Sequence, residues 1–343
     1  MPVHNFQAPR GEIARITVGS KALLGNLLGD PAERSVWVYL PEGYGDSKEE
    51  YPLFVDLAGY TGSGPKHLAW TLFGESLPQR ADRLVAEGKM GPAVFAFPDC
   101  FTSLGGNQYI DSVAMGLWEV FLVEEMIPAL EREFRIRRGR EHRALFGKSS
   151  GGYGAVVHAM KHADAWNAVA CHSGDMAFDL VYRVEFPAAL DRLAAFGHDT
   201  IAFVNHMKKA RKVDGGDLTA LMALAMAATY DPDPEAPFGA RLPVDPETCE
   251  MDEERWARWL EHDPITMVRK PERQENLRRL AGLYIDCGSR DQYRLHYGNR
   301  VFVRELKRAG IPHRYEEFDD NHSDVNYRMD ESLPFLWKAI TGG

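Results

Sequence analysis

Short apolar runs that alternate with helical patterns constrain the fold of this chain more than any other feature. Seven runs of five to seven residues are rich in β-branched and aromatic residues, at 35–40, 52–57, 92–97, 142–146, 168–172, 281–287 and 313–318. Several are apolar throughout, which is typical of strands covered on both faces. Helical patterns lie between them, at 117–134, 152–162, 298–309 and 329–340. The alternation predicts an α/β protein with a mainly parallel sheet and helices on both faces.

Two stretches depart from this alternation. The strands before Gly59 have no helices between them, so we expect them to form an antiparallel edge. Residues 174–280 show helical patterns, at 187–196, 201–211, 218–228 and 253–260, and no strand signal. An insertion of this size between two strands predicts a helical cap over the carboxyl edge of the sheet. We therefore expect residues 1–343 to form a single domain with the cap at 174–280 inserted in it.

Charge and composition narrow the classes of partner. The net charge of −10 opposes binding to a nucleic-acid backbone or to anionic lipid. Residues 1–15 lack the apolar run of a signal peptide, and no stretch reaches the length of a membrane span, so we expect a cytoplasmic protein. The four cysteines are far apart and histidines lack metal-ligand spacing, so no metal site or disulfide framework is expected. The sequence leaves open whether the chain forms a homo-oligomer.

A Gly-x-Ser-x-Gly motif stands at residues 147–151, where Ser149 is flanked by Lys148 and Ser150. The motif carries a nucleophile when a strand enters a sharp turn that opens into a helix, and the patterns around Ser149 predict that context. A phosphate-binding Walker loop would need glycine where His142 stands, so a nucleotide site is not predicted. Ser150 is a rival nucleophile by position, but the motif centres Ser149.

A serine nucleophile needs a histidine base and a carboxylate that orients the base, and in this fold they follow the serine in the order acid, then histidine. Asp291, in the loop after the predicted strand at 281–287, is the expected acid, with Asp286 as the alternative. His322 lies in the polar loop before the last helix and is the expected base. His296 and His313 occupy weaker positions, in a helix and at a strand start.

Two backbone N–H groups are expected to form the oxyanion hole. One belongs to Ser150, directly after the nucleophile. The other normally comes from the loop after the third strand, which here reads Leu57-Ala58-Gly59-Tyr60, and we assign it to Tyr60.

Beyond the predicted triad and oxyanion hole, the chain resembles the putative esterase family of α/β-hydrolases. This family includes esterase D, feruloyl esterases, enterochelin esterases and mycolyltransferases. The resemblance covers most of the chain outside the cap and rests on residues 36–44, 51–53, 97–99, 124–128, 146–154 and 287–291. Lys148 stands where histidine is frequent in the family, and the surroundings of His322 differ from the usual ones. The smaller members lack the large cap.

The resemblance implies an α/β-hydrolase fold and a serine esterase that cleaves small-molecule carboxylic esters without a cofactor. An acyltransferase would use the same triad, and a non-catalytic binding protein would share the scaffold, so both alternatives stay open. Aromatic residues such as Trp70, Tyr109 and Trp118 predict either an apolar pocket or ordinary core packing, while Lys148 and Arg290 suggest an acidic substrate or solvated charges.

Overall fold

The structure is a computed structural model that describes residues 3–342. Its strands follow in chain order as β1 (Glu12–Gly19), β2 (Glu33–Leu40), β3 (Leu53–Leu57), β4 (Val94–Pro98), β5 (Asp111–Ser112), β6 (Gly116–Leu117), β7 (Arg143–Lys148), β8 (Ala168–His172), β9 (Gly282–Gly288) and β10 (Arg314–Phe318). All except β5 and β6, which pair with each other, belong to one eight-stranded sheet.

The strand order of the large sheet is β1-β2-β4-β3-β7-β8-β9-β10. The six strands from β4 to β10 in this order pair in parallel, whereas β1 and β2 are antiparallel to each other and β2 is antiparallel to β4. The mainly parallel sheet is therefore as predicted. The expectation of an antiparallel edge before Gly59 holds for β2 but is wrong for β3, which lies inside the sheet because its buried side chains are covered on both faces.

The helices follow as α1 (Leu77–Ala86), α2 (Trp118–Val120), α3 (Ile127–Glu133), α4 (Ser150–Lys161), α5 (Phe178–Val181), α6 (Phe186–Ala194), α7 (Thr200–Lys209), α8 (Gly215–Tyr230), α9 (Glu253–Leu260), α10 (Pro264–Met267), α11 (Pro271–Arg278), α12 (Leu295–Arg308) and α13 (Met329–Thr341). A π-helical turn, Phe121–Met126, joins α2 to α3 and interrupts the single helix predicted at 117–134. Helices α5 to α11 all lie between β8 and β9 in the chain.

Alternate side chains of the strands build a separate core on each face of the sheet. In β3, Leu53 and Val55 belong to one hydrophobic cluster and Phe54 to the other. The first cluster includes buried residues of α4 and α12, and the second includes residues of α1 and α13. Because helices cover both faces, polar loops can meet only along the edges of the sheet, and the carboxyl edge is where the turns after β3, β7, β8, β9 and β10 come together.

Candidate active site

Ser149 occupies the turn between β7 and α4, as the motif predicts. Its backbone has φ 59° and ψ −124°, a positive-φ conformation that is rare for a residue with a side chain. The turn is tightly packed, since a Cβ atom on Gly151 would lie 1.9 Å from the carbonyl oxygen of Leu57. Glycine two residues after Ser149 is therefore required for β3 to approach the start of α4 this closely.

The loops after β9 and β10 bring Asp291 and His322 together. His322 Nδ1 lies 2.7 Å from Asp291 Oδ2, and both side chains are largely buried. The other carboxylate oxygen of Asp291 accepts a hydrogen bond from the backbone N–H of Tyr293 at 2.9 Å. A carboxylate that accepts the Nδ1 proton leaves Nε2 of the imidazole unprotonated and available as a base.

Ser149 and His322 line the same cavity, which has a volume of about 610 Å³. Among residues 3–342 the structure contains no hydrogen bond between Ser149 Oγ and the His322 ring. Long catalytic contacts are common in the absence of substrate and shorten when it binds. The three residues predicted from the chain order thus converge on one region, with the acid and the histidine in direct contact.

The two expected oxyanion donors border the same cavity. Neither Tyr60 nor Ser150 donates its backbone N–H to an acceptor within the described part of the chain. The Tyr60 side chain is buried and its hydroxyl donates to the carbonyl oxygen of Leu104 at 2.6 Å, which fixes the loop after β3. This loop runs beside the nucleophile turn, because a Cβ on Gly59 would lie 3.5 Å from Ser149 Cβ.

Lys148 makes a contact that the sequence reasoning did not anticipate. Its Nζ donates to the main-chain carbonyl oxygen of His322 at 2.8 Å. The backbone N–H of His322 donates in turn to Gln292 Oε1 at 2.9 Å. Both backbone polar groups of His322 are therefore held by side chains, and one of these side chains, Lys148, is adjacent in sequence to Ser149.

Two further acidic residues near the cavity were also missed. Asp56 lies in β3, is fully buried and contacts Nδ1 of His67, a residue that lines the cavity. Asp175 follows β8 and its Oδ2 accepts hydrogen bonds from the Tyr182 hydroxyl at 2.8 Å and from Gln108 Nε2 at 3.2 Å. Burial raises the pKa of Asp175. Position at the ends of strands was the available signal for both carboxylates.

Asp286, the alternative acid, belongs to a different cluster. Its Oδ1 lies 2.7 Å from His172 Nδ1, and the Nε2 atom of that histidine lies 2.8 Å from Ser332 Oγ. Arg328 Nε donates to the other carboxylate oxygen at 2.9 Å. Ser332 is completely buried, and neither Ser332 nor His172 nor Asp286 lines the cavity that includes Ser149. We therefore interpret this second serine, histidine and aspartate arrangement as part of the core.

The remaining histidine candidates lie elsewhere. Neither His296 nor His313 lines the cavity, and His313 Nδ1 donates to the carbonyl oxygen of Ile311 at 2.7 Å. Within residues 3–342 no group of three or more His, Cys, Asp or Glu side chains is arranged to hold a metal ion. No helix in this part of the chain combines the length and the apolar character needed to cross a bilayer.

Solved structures of similar architecture define the class of protein to which this fold belongs. A ferulic acid esterase is 20% identical with a TM-score of 0.62, and the alignment covers 97% of this chain and 100% of that one. An S-formylglutathione hydrolase from Agrobacterium tumefaciens is 17% identical with a TM-score of 0.58, covering 98% of each chain. The fold is that of the α/β-hydrolases, as the sequence resemblance implies.

Sequence comparison identifies the family within this fold. The model of the Putative esterase family matches residues 31–330, and the chain belongs to this family of ester hydrolases. A curated relative, an endo-1,4-beta-xylanase/feruloyl esterase from Xylanibacter ruminicola, is 29% identical over 119 residues. That match covers 34% of this chain and 16% of the relative, which is a much longer protein.

Proposed function

We propose that this protein is a serine esterase that hydrolyses small-molecule carboxylic esters through an acyl-enzyme intermediate. The observation that carries the proposal is the strained turn at Ser149, which opens onto the same cavity as the hydrogen-bonded pair of His322 and Asp291. Strained backbone is maintained only where the surrounding structure holds it, and it concentrates at functional sites. The family match supports ester chemistry over a purely structural role for the turn.

In this mechanism Ser149 Oγ attacks the ester carbonyl while His322 Nε2 accepts the hydroxyl proton. The imidazolium that forms is stabilised by Asp291, which also keeps the ring in the required tautomer. The protonated histidine then gives its proton to the departing alcohol as the C–O bond of the ester breaks. Water, deprotonated by the same histidine, attacks the acyl-enzyme and releases the carboxylic acid and free Ser149.

The negative charge on the carbonyl oxygen would be stabilised by the N–H groups of Tyr60 and Ser150. Neither N–H donates a hydrogen bond to a protein acceptor within residues 3–342, and both residues border the cavity. No hydrogen bond must therefore be broken before these groups bind the oxyanion. Preorganised donors of this kind typically contribute about 3 kcal/mol each to the transition state.

Residues 174–280 act in this proposal as the cap that shapes the substrate cavity. Of the ten side chains that this segment contributes to the lining, Asp175, Glu185 and Thr219 are polar. The other seven are apolar or aromatic, namely Val181, Tyr182, Phe186, Leu218, Met222, Ala223 and Trp259. Such a wall favours an apolar portion of the substrate and excludes water from the reacting ester.

The proposal is tested by replacing Ser149 with Ala and measuring hydrolysis of 4-nitrophenyl acetate. We expect turnover to fall by at least about 10³-fold, because residual catalysis would come only from binding and the oxyanion donors. Wild-type turnover in Ser149→Ala would overturn the proposal. Product analysis with and without an added alcohol separates hydrolysis from acyl transfer.

A fluorophosphonate probe provides an independent test of the nucleophile. We expect mass spectrometry to locate the label on Ser149 in the wild type and to find none in Ser149→Ala. Ser332→Ala is the matched control, since this serine also contacts a histidine and aspartate pair but is completely buried. Loss of labelling in a folded Ser332→Ala protein would mean that the buried cluster is the reactive one.

A further inference from the structure

One part of the cavity lining carries three basic side chains. Lys66 and His67 come from the short 3-10 helix Gly64–Leu68 after β3, and Lys148 precedes the nucleophile. Neither Lys66 nor Lys148 forms an ion pair within 4 Å of a carboxylate in the described part of the chain. Within residues 3–342, Asp56 is the single carboxylate that forms an ion pair with any of the three, and its partner is His67.

The three positive groups are close enough to influence one another. Burial lowers the pKa of Lys148, and the charge of Lys66 lowers it further. Burial also acts to lower the pKa of His67, but the Asp56 carboxylate outweighs burial and the charges of Lys66 and Lys148, so the pKa of His67 is raised. Like charges held together in this way repel one another, and an anion placed between them would relieve the repulsion.

The acidic residues of the lining do not fully supply that anion. Glu185 belongs to the lining but forms no ion pair with any of the three basic side chains within residues 3–342. Glu75 is engaged by Arg83 at 2.8 Å, and Asp175 accepts hydrogen bonds from Tyr182 and Gln108. Asp324 is exposed at the rim and its charge acts on Lys148 from beyond ion-pair distance. The positive group of side chains therefore retains capacity for an anionic ligand.

We infer that the substrate is an ester that also carries a carboxylate, which binds to Lys66, His67 and Lys148 while its apolar portion contacts the side chains from residues 174–280. This inference rests on the proposed esterase function and adds the substrate class. Lys148 donates one of its three N–H groups to His322, which leaves two for the substrate carboxylate.

The test compares matched esters that differ only in this charge. One pair is 4-acetoxybenzoate and 4-acetoxybenzamide, with the charge on the alcohol portion. The other is 4-nitrophenyl hemisuccinate and its terminal amide, with the charge on the acyl portion. The measured quantity is the ratio of kcat/KM for the carboxylate ester to that for the amide ester, within each pair.

Three variants distinguish a specific carboxylate subsite, formed by Lys66, His67 and Lys148, from a nonspecific effect of charge on the surface of the protein. Lys66→Met and the double variant Lys66→Met/His67→Gln remove charges from the cavity lining, whereas Lys48→Met removes an exposed lysine from a loop outside it. We expect the ratio for at least one pair to fall about fivefold in Lys66→Met and further in the double variant, as for a partly exposed ion pair. Lys48→Met should keep the wild-type ratio. Added salt should lower the ratio in the wild type and Lys48→Met, which retain the charges of Lys66 and His67, but not in the double variant.

The outcomes distinguish this inference from the esterase proposal. Suppose that both esters of a pair are hydrolysed and that the kcat/KM ratio is the same in the wild type and all three variants, for both pairs. The inference of a carboxylate subsite is then wrong, and the esterase proposal stands. If neither ester is hydrolysed, the esterase proposal fails for these substrates. Calorimetric binding of 4-phenylbutanoate against 4-phenylbutanamide then decides the subsite, since equal affinities in the wild type and the double variant would overturn it.

Discussion

At the scale of residues, the chain contains two arrangements of serine, histidine and aspartate, and local geometry alone does not separate them. Hydrogen bonds join His172 to both Asp286 and Ser332, whereas Ser149 Oγ forms none with the His322 ring within residues 3–342. Ser332 is nevertheless fully buried. Ser149 instead combines a strained backbone of positive φ with a position in the lining of the cavity of about 610 Å³. Access to a substrate and a strained turn therefore carry more weight for function than a complete hydrogen-bonded chain.

Substitution of the two aspartates should separate activity from stability. Asp291→Asn keeps the shape of the side chain but favours the wrong tautomer of His322, so we expect kcat to fall by about 10⁴-fold with little change in stability. Asp286→Asn takes the carboxylate away from the buried His172 and removes one of the two carboxylates that pair with Arg328, so we expect unfolding to become easier by about 3 kcal/mol. Ester hydrolysis and urea unfolding measure the two effects. The reverse assignment, with the larger loss of kcat in folded Asp286→Asn, would contradict the choice of acid.

At the scale of elements, Lys148 links the turn after β7 to the loop after β10. In Lys148→Met the His322 carbonyl loses its partner, so we expect kcat for a neutral ester to fall about tenfold while KM changes less, because the base is held less well. Lys148→Arg retains a donor and should recover part of the loss. Equal kcat values for the wild type and Lys148→Met would show that the loop after β10 is positioned without this link.

The bounds of the strands and helices show how far the sequence predicts the structure. Strand β8 and helix α9 have the predicted bounds, since their apolar patterns end at clear turn or cap residues such as Asp252. The edge strand β1 was missed because its side chains are mostly exposed, and charged residues interrupt its apolar pattern. Chain order and motif spacing point to Ser149, Asp291 and His322, whereas the pairing of His67 with Asp56 depends on burial and close approach that no local pattern encodes.

At the scale of the whole molecule, buried neutral histidines couple stability to pH. Burial, assisted by the charge of His162, lowers the pKa of His158 to about 4, while Glu119 opposes this only in part. In the neutral ring Nε2–H donates to the carbonyl oxygen of Tyr109 at 2.8 Å, and Nδ1 accepts from Trp166 Nε1 at 3.3 Å. Protonation of Nδ1 would remove the second of these contacts.

The sign of the pH effect follows from which state binds more protons. Below pH 6.5 the unfolded chain protonates this histidine, whereas the folded chain does so only near pH 4, so acidification across this window favours unfolding. We expect the wild type to lose about 1.6 kcal/mol more than His158→Gln between pH 6.5 and pH 5. Urea unfolding at both pH values measures the difference. Equal slopes in the wild type and His158→Gln would mean that His158 takes up its proton equally in the folded and unfolded states.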